Sequence, residues 1–287
     1  MTSIQVRQLT KQFPLRHGLR RSRLTAVDQV SFDLVPGRTV ALVGESGSGK
    51  STIARMLTRL ERPTAGTITV TRADQTLVTG AGYRQQVQMV FQDPFASLNP
   101  FHTVAHHLAR PLLLHRRTRG RRETHQRVLE MLDRVNLTPP RDIAARRPHE
   151  LSGGQRQRVA IARALAPGAG VLIADEPVSM LDVSIRLDLL ARLQREDDLA
   201  VLYITHDLAT ARHFSDEILV MYRGRIVERG PSDDVILRPR HPYTRLLALA
   251  APDPERPGKL VADDEPDRGT LDNARGFDHH TGSWTER

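Results

Sequence analysis

The sequence predicts an α/β fold in which helices cover a mostly parallel sheet. Short apolar runs at residues 40–43, 171–174 and 201–205 alternate with segments of helical periodicity. This alternation is typical of parallel strands joined by crossover helices. The second and third runs lead directly into Asp175 and His206. Because the carboxyl ends of parallel strands lie at one edge of a sheet, we expect these polar groups to share a site there.

The composition is that of a globular domain with appendages. A chain of 287 residues with a 39% hydrophobic fraction can bury a packed core. No apolar run is long enough to span a bilayer, and the first residues lack the pattern of a secretion signal. The absence of cysteine excludes disulfides and cysteine-ligated metal centres. The net charge of +9 favours a polyanion or an anionic membrane surface as a neighbour, without choosing between them.

The first part of the chain is predicted to form strands. Residues 4–9 alternate loosely between apolar and polar and are interpreted as an edge strand. Residues 16–23 are interpreted as a basic loop, either solvated or in contact with phospholipid headgroups or a partner. Residues 27–35 alternate regularly, as in a half-buried strand, before a Pro-Gly turn.

A glycine-rich turn follows the apolar run at residues 40–43 and precedes a helix-forming segment. It matches G-x-x-x-x-G-K-[ST] at Gly44, Gly49, Lys50 and Ser51. Glycines let the backbone curl with its N–H groups around a polyphosphate, and the helix dipole favours the same anion. Flexible linkers rarely lie between a strand and a helix, so a linker is disfavoured. The predicted ATP-binding residues of this turn are Gly44, Glu45, Ser46, Gly47, Ser48, Gly49, Lys50, Ser51 and Thr52.

Two further segments complete the predicted chemistry. The apolar run at residues 87–91 ends in Gln92, and residues 171–174 lead into Asp175 and Glu176. Asp175 is placed to hold magnesium through its water shell, together with the Ser51 hydroxyl. Glu176 is placed to polarise an attacking water. A lone Asp-Glu pair is weak support, but a phosphate-binding turn in the same chain strengthens it.

The middle of the chain has a different pattern. Residues 103–137 are mostly helical and form an insertion in the alternating chain. The segment 121–135 is an amphipathic helix with one apolar face, made by Val128, Leu132 and Val135. His102 and His106 have helical spacing, but no adjacent ligand completes a metal site.

Residues 151–155, L-S-G-G-Q, are the signature of ATP-binding-cassette (ABC) ATPases, which the chain resembles from about residue 3 to 251. The resemblance implies a role for several other residues. Phe13 matches the aromatic residue that stacks on adenine, and Gln92 matches the glutamine that senses magnesium and the transmembrane partner. Asp182 belongs to the loop after the catalytic glutamate, and His206 matches the histidine that contacts the γ-phosphate.

The resemblance also implies an architecture. An ATPase domain over residues 3–237 is expected to combine a mostly parallel sheet, an N-terminal antiparallel β subdomain and a helical signature subdomain at about 93–160. A C-terminal extension at 238–258 and a disordered tail at 259–287 are expected to follow. In this architecture two subunits pair head to tail, and the signature of one closes over the ATP of the other. The signature residues are Ser152, Gly153, Gly154 and Gln155.

Narrower features resemble the oligopeptide, dipeptide and nickel importer branch of the family. They are residues 87–100, Gly230 with Pro231, and residues 238–247. The basic loop resembles that of the second of the two ATPases in such systems. This branch implies two transmembrane permease subunits, a second ABC ATPase in a homo- or heterodimer, and indirect coupling to an extracytoplasmic solute-binding protein. The expected cofactors are ATP and Mg2+, and the expected location is the cytoplasmic face of the membrane.

Two alternatives remain at the sequence level. The basic charge suits a soluble ABC ATPase that acts on nucleic acid or the ribosome. Against it, the chain has one cassette, no long coiled coil and no cysteine pairs for zinc, so we expect no nucleic-acid partner. An ABC exporter subunit shares every catalytic motif and is disfavoured only by the C-terminal extension.

Overall fold

The computed structural model describes residues 1–17, 20–91, 97–175, 183–250, 277–278 and 283–284. Its strands are β1 Thr2–His17, β2 Arg20–Leu34, β3 Thr39–Val43, β4 Ala65–Arg72, β5 Val87–Val90, β6 Val171–Asp175, β7 Ala200–Thr205, β8 Glu217–Tyr222, β9 Arg225–Pro231, β10 Phe277–Asp278 and β11 Ser283–Trp284. Its helices are α1 Lys50–Leu57, α2 Gly80–Gln86, α3 Val104–Leu114, α4 Arg121–Arg134, α5 Pro140–Ala145, α6 Gly153–Leu165, α7 Val183–Asp197, α8 Leu208–Phe214, α9 Ser232–Leu237 and α10 Pro242–Ala250.

The larger sheet has six strands in the order β5-β6-β7-β3-β8-β9. All neighbours are parallel except β8 and β9, which pair antiparallel. Every residue of β3, β6 and β7 is buried. This explains why their sequences are continuous apolar runs, since both faces of such a sheet are covered. The predicted mostly parallel sheet is confirmed.

The smaller sheet is antiparallel, with the order β2-β1-β4. The prediction of an edge strand at residues 4–9 is wrong, because β1 lies in the centre of this sheet. Ile4 pairs with Leu34 on one side and with Val70 on the other. The basic loop at residues 16–23 is also shorter than predicted, because β1 and β2 remain paired as far as His17 and Arg20. Local alternation identifies a strand but does not show how many neighbours it has.

The helical insertion packs on one face of the larger sheet. Val128, Leu132 and Val135 are all buried, as the amphipathic pattern predicts. They share a hydrophobic cluster with Leu172 of β6 and Val201 of β7. The insertion therefore shares one apolar core with this face of the sheet.

Helix α1 lies between the two sheets. Its Ile53, Met56 and Leu57 are buried in the cluster that joins the smaller sheet to the larger one. The turn that precedes α1 is thus attached to a buried strand at one end and a buried helix at the other. This arrangement holds the turn at the carboxyl end of β3.

The C-terminal part of the chain packs on the same face of the larger sheet as the insertion, because Ala174 and Tyr203, which contact it, alternate in phase with Leu172 and Val201. Tyr243 of α10 is buried in a cluster with Val43 of β3 and Val220 of β8. Within 259–287, where the sequence predicts a disordered tail, the structure describes only the antiparallel pair β10 and β11. Among the described helices, none is both long and apolar enough to cross a bilayer.

Candidate nucleotide site

The glycine-rich turn between β3 and α1 adopts backbone conformations that require glycine. Gly47 and Gly49 have φ angles of 81° and 111°, where side chains are disfavoured. A Cβ atom at Gly49 would lie 2.3 Å from the carbonyl oxygen of Ala26, whereas one at Gly47 would meet open space. The turn is therefore packed against β2 at Gly49 and open at Gly47.

Lys50 provides the positive charge of this turn. Its side chain is buried, with 6% of the residue exposed. The Nζ atom donates hydrogen bonds to the carbonyl oxygens of Gly44 at 2.6 Å and Glu45 at 2.8 Å. A buried ammonium needs such acceptors, because burial disfavours the charged form. The backbone of the turn therefore holds this charge in place.

Helix α1 begins at Lys50 without a side-chain cap. Its N-cap residue, Gly49, has no side chain to accept a hydrogen bond from the first turn. Ser51 is exposed at this helix start, and Thr52 is partly buried. An uncapped helix N-terminus beside a lysine is a favourable position for an anion, because the helix dipole and the amide groups both attract it.

A cavity of about 890 Å³ lies against this turn. One part of its wall is apolar and includes Phe13, and the ammonium of Lys11 lies 4.9 Å from the Phe13 ring centre. The remaining wall is the turn itself. The lining residues are Phe13, Leu24, Ala26, Gly44, Glu45, Ser46, Gly47, Gly49, Lys50, Ser51, Thr52, His206, Leu246 and Leu247. An apolar wall next to an anion-binding turn fits a base and a polyphosphate of the same ligand.

Asp175 and His206 lie at the same edge of the sheet as the turn. Asp175 is the last residue of β6 and is buried, while His206 follows β7 and is exposed. β6 pairs with β7, and β7 pairs with β3, in parallel register. His206 lines the cavity, whereas Asp175 does not. Both residues thus lie at strand ends, as the sequence predicts. Asp175 is one strand farther from the turn after β3 than His206 is.

The residues present also fit a magnesium ion that arrives with a nucleotide. The Ser51 hydroxyl and the Asp175 carboxylate are oxygen donors, which this ion prefers. Among the described residues there is no group of three or more His, Cys, Asp or Glu side chains that could hold a metal ion.

Three predicted site residues, Gln92, Glu176 and Asp182, lie outside the described residues. Gln92 follows β5 closely, and Glu176 follows β6 directly. Their predicted roles stay predictions.

The signature residues form a separate feature. Ser152 caps α6, because its Oγ accepts the N–H of Gln155 at 3.3 Å while the Gln155 Oε1 accepts the N–H of Ser152 at 3.0 Å. Gly153 is exposed and Gly154 partly buried. All four residues are described, and none of them lines the cavity of their own chain.

Tyr243 is a site residue that the sequence interpretation missed. Its hydroxyl oxygen accepts a hydrogen bond from the backbone N–H of Glu45 at 3.0 Å. Burial raises the pKa of Tyr243 to about 12, further above neutral pH than the ordinary tyrosine value. The sequence places Tyr243 at the start of a short helix, but nothing in its pattern indicates contact with a turn almost 200 positions earlier.

Comparisons with known proteins found matching family models and curated relatives for this chain. Residues 27–179 match the family model described as ABC transporter, and residues 227–277 match the model of the oligopeptide/dipeptide transporter C-terminal region. The glutathione import ATP-binding protein of Pectobacterium atrosepticum is 49% identical over 265 residues, which is 88% of this chain and 42% of that protein. The chain thus spans less than half the length of this curated relative.

Two solved structures have a similar fold. A dimeric bacterial ABC transporter cassette is 31% identical, with a TM-score of 0.66, over 80% of this chain and 98% of that one. A dimeric post-hydrolysis state of an ATP-binding cassette with bound ADP and Pi is 30% identical, with a TM-score of 0.66 and the same coverage of both chains.

Proposed function

Because the chain belongs to the ABC transporter family, we propose that it binds and hydrolyses ATP to energise an importer of oligopeptides, dipeptides or similar solutes. The observation that carries the proposal is the buried Lys50 ammonium, held inside an uncapped helix-start turn that lines a cavity. The match of residues 227–277 to the oligopeptide/dipeptide transporter C-terminal region supports the importer branch. A relative with a peptide cargo, glutathione, supports the solute class.

The residues of the turn supply the electrostatic part of the reaction. Lys50 and the amides at the start of α1 neutralise phosphate charge, which shifts among the oxygens of the transferred and leaving groups in the transition state of phosphoryl transfer. Ser51, Gln92 and Asp175 are the proposed magnesium ligands, directly or through water. When bound, the magnesium ion supplies further neutralisation of the phosphates.

Two other side chains act on the reacting groups. Glu176 orients the attacking water and polarises it. His206, exposed at the cavity wall, holds the γ-phosphate. The apolar wall at Phe13 receives the adenine ring by stacking.

A second cassette completes each site in this proposal. The signature residues do not line the cavity of their own chain, and they begin a helix whose N-terminus attracts anions. In a head-to-tail dimer they close over ATP bound to the partner cassette. The dimeric form of a similar solved cassette supports this arrangement. ATP then joins the two subunits, and its hydrolysis releases them.

The proposed partners are two transmembrane permease subunits and a second ABC ATPase at the cytoplasmic face of the membrane. An extracytoplasmic solute-binding protein supplies the cargo to the permeases. Gln92 and the helical insertion transmit dimer closure to the permeases.

The test is affinity purification of tagged Glu176→Gln protein from native membranes, with and without ATP and Mg2+. A carboxamide cannot act as a base, so this variant is expected to bind ATP and stall as a closed dimer. Mass spectrometry should then find two multi-span proteins and a second cassette ATPase, recovered in larger amounts with ATP.

Two outcomes would contradict the proposal. Recovery of ribosomal or nucleic-acid material without membrane proteins would replace the importer with a soluble ATPase. Full ATP turnover by purified Glu176→Gln protein would remove Glu176 from its role. The wild-type chain, purified in parallel, is the control for both results.

A further inference from the structure

The C-terminal helix α10 reaches the phosphate-binding turn through one hydrogen bond. The hydroxyl oxygen of Tyr243 accepts the backbone N–H of Glu45 at 3.0 Å. The carbonyl oxygen of Glu45 accepts a hydrogen bond from Lys50 Nζ at 2.8 Å. Both backbone polar groups of Glu45 are therefore held by side chains. These two bonds constrain the part of the turn that carries the buried ammonium.

The sheet fixes the position of the Tyr243 hydroxyl. Only 1% of Tyr243 is exposed, and its ring centre lies 4.3 Å from that of Tyr222. Tyr222 is the last residue of β8, the parallel neighbour of β3. A phenol is neutral at pH 7, and burial raises the pKa of Tyr243 further, to about 12, so the hydroxyl accepts the Glu45 N–H without adding charge beside Lys50.

A second set of contacts anchors the start of α10 to β9. The Glu228 carboxylate accepts the backbone N–H groups of Arg240 at 2.8 Å and His241 at 2.9 Å. The Nδ1 atom of His241 accepts the N–H of Tyr243 at 3.2 Å. Charge-assisted hydrogen bonds of this kind are among the stronger ones in proteins. β9 thus determines where Tyr243 stands relative to the turn.

We propose that Tyr243 is a positioning residue for the phosphate-binding turn, so that α10 is part of the nucleotide site. Leu246 and Leu247 of the same helix line the cavity, and Leu247 also packs against the cluster that contains Tyr243. The affinity for ATP therefore depends on the C-terminal extension. This inference rests on the proposed function, since it requires that the cavity bind ATP.

The test compares Tyr243→Phe with Thr244→Val in the full chain. Tyr243→Phe keeps the ring and removes only the hydroxyl, which takes away the acceptor of the Glu45 N–H in a part-buried hydrogen bond. Thr244 is the next residue of α10, is fully buried, and its Oγ1 makes no hydrogen bond within the described part of the chain. Thr244→Val is therefore a control for changes in local packing.

The probe is a fluorescent ATP analogue with Mg2+, titrated well below the melting temperature. We expect Tyr243→Phe to weaken its binding about threefold to tenfold, the range typical for the loss of one neutral hydrogen bond. Thr244→Val should bind as the wild type does. In steady-state assays the KM for ATP of Tyr243→Phe should rise by a similar factor, with a smaller change in kcat. A purely structural role would lower the melting temperature of the nucleotide-free protein and leave the affinity of the folded protein unchanged.

A second variant keeps the test decisive if Tyr243→Phe does not fold. Glu228→Gln replaces the carboxylate that anchors the start of α10, without touching the turn, and should also weaken ATP binding. Wild-type affinity in either folded variant would overturn the inference. If the wild-type chain itself binds no ATP analogue, the proposed function fails instead, so the two failures are distinguishable.

Discussion

The chain contains two glycine-rich helix starts that differ in how their amides are satisfied. At α1, Gly49 provides no side-chain cap, and the buried Lys50 adds a positive charge. At α6, Ser152 and Gln155 cap each other's backbone N–H groups. The first start lines the cavity of about 890 Å³, and Ser152, Gly153, Gly154 and Gln155 are not among the residues that line it.

In the proposed dimer, the two helix starts therefore contribute differently to one nucleotide site. The α1 turn has a charge, an apolar wall and a supporting tyrosine from its own chain. The α6 turn has its reciprocal cap, and in the proposed dimer its ligand is the ATP of the partner cassette. A reciprocal cap at a partly exposed helix start suits a dimer that forms only transiently. When the partner is absent, the cap accepts two backbone N–H groups that would otherwise lack a protein acceptor.

The largest expected effect concerns Lys50, the positive charge of the α1 turn. Lys50→Ala removes the buried ammonium and should weaken ATP binding by about 100-fold or more, because hydrogen bonds to charged groups are the strong ones. Titration with a fluorescent ATP analogue measures this loss. Arg55→Ala, an exposed position on the same helix, is the matched control and should bind as the wild type does. Equal affinity in the two variants would contradict the assignment of Lys50.

An intermediate effect on stability is expected when one glycine of each helix start is replaced by alanine. Gly49→Ala should lower the free energy of unfolding by roughly 1–3 kcal/mol, because its φ of 111° and the nearby Ala26 carbonyl oppose a Cβ atom. Gly153 has open space at its Cβ position. Gly153→Ala should leave stability unchanged or raise it by up to about 1 kcal/mol.

Urea denaturation measures both changes in the free energy of unfolding. An ATPase assay then measures ATP turnover by Gly153→Ala. Gly153→Ala should lose ATP turnover in spite of its stability if a partner's nucleotide approaches this turn. Normal turnover by Gly153→Ala would show that the turn has no such contact.

The smallest effect concerns the α6 cap. Ser152→Ala should lower the free energy of unfolding by about 1 kcal/mol, a typical value for loss of a serine cap. Thr103→Ala is the matched control, because Thr103 caps α3 by accepting the N–H of His106 at 3.3 Å. The two variants should lose similar stability, but only Ser152→Ala should also lose ATP turnover. Equal turnover would assign Ser152 a capping role alone.

Much of the fold could be predicted from local pattern. The order of strand, glycine turn and helix at the start of the site follows from a contiguous motif, and the apolar face of α4 follows from helical periodicity. Asp175 and His206 could be placed at strand ends because each directly follows an apolar run. These features depend on residues close together in the sequence.

The errors concern partners that are distant in the sequence. β1 lies in the centre of its sheet because β4, which begins almost fifty residues after the end of β1, pairs with its other side. The alternation in residues 4–9 is the same for a central strand or an edge strand. The predicted loop at residues 16–23 is shorter because strand pairing extends to His17.

The family, the glycine-rich turn between β3 and α1, and the residue types at the sheet edge follow from the sequence alone, because motif spacing and periodicity are local properties. Only the tertiary structure showed that Lys50 is buried within its turn and that α10 belongs to the cavity wall. Tyr243 lies 198 positions from Glu45. A hydrogen bond over that separation depends on the packing of β3, β8, β9 and α10, and no local pattern encodes it.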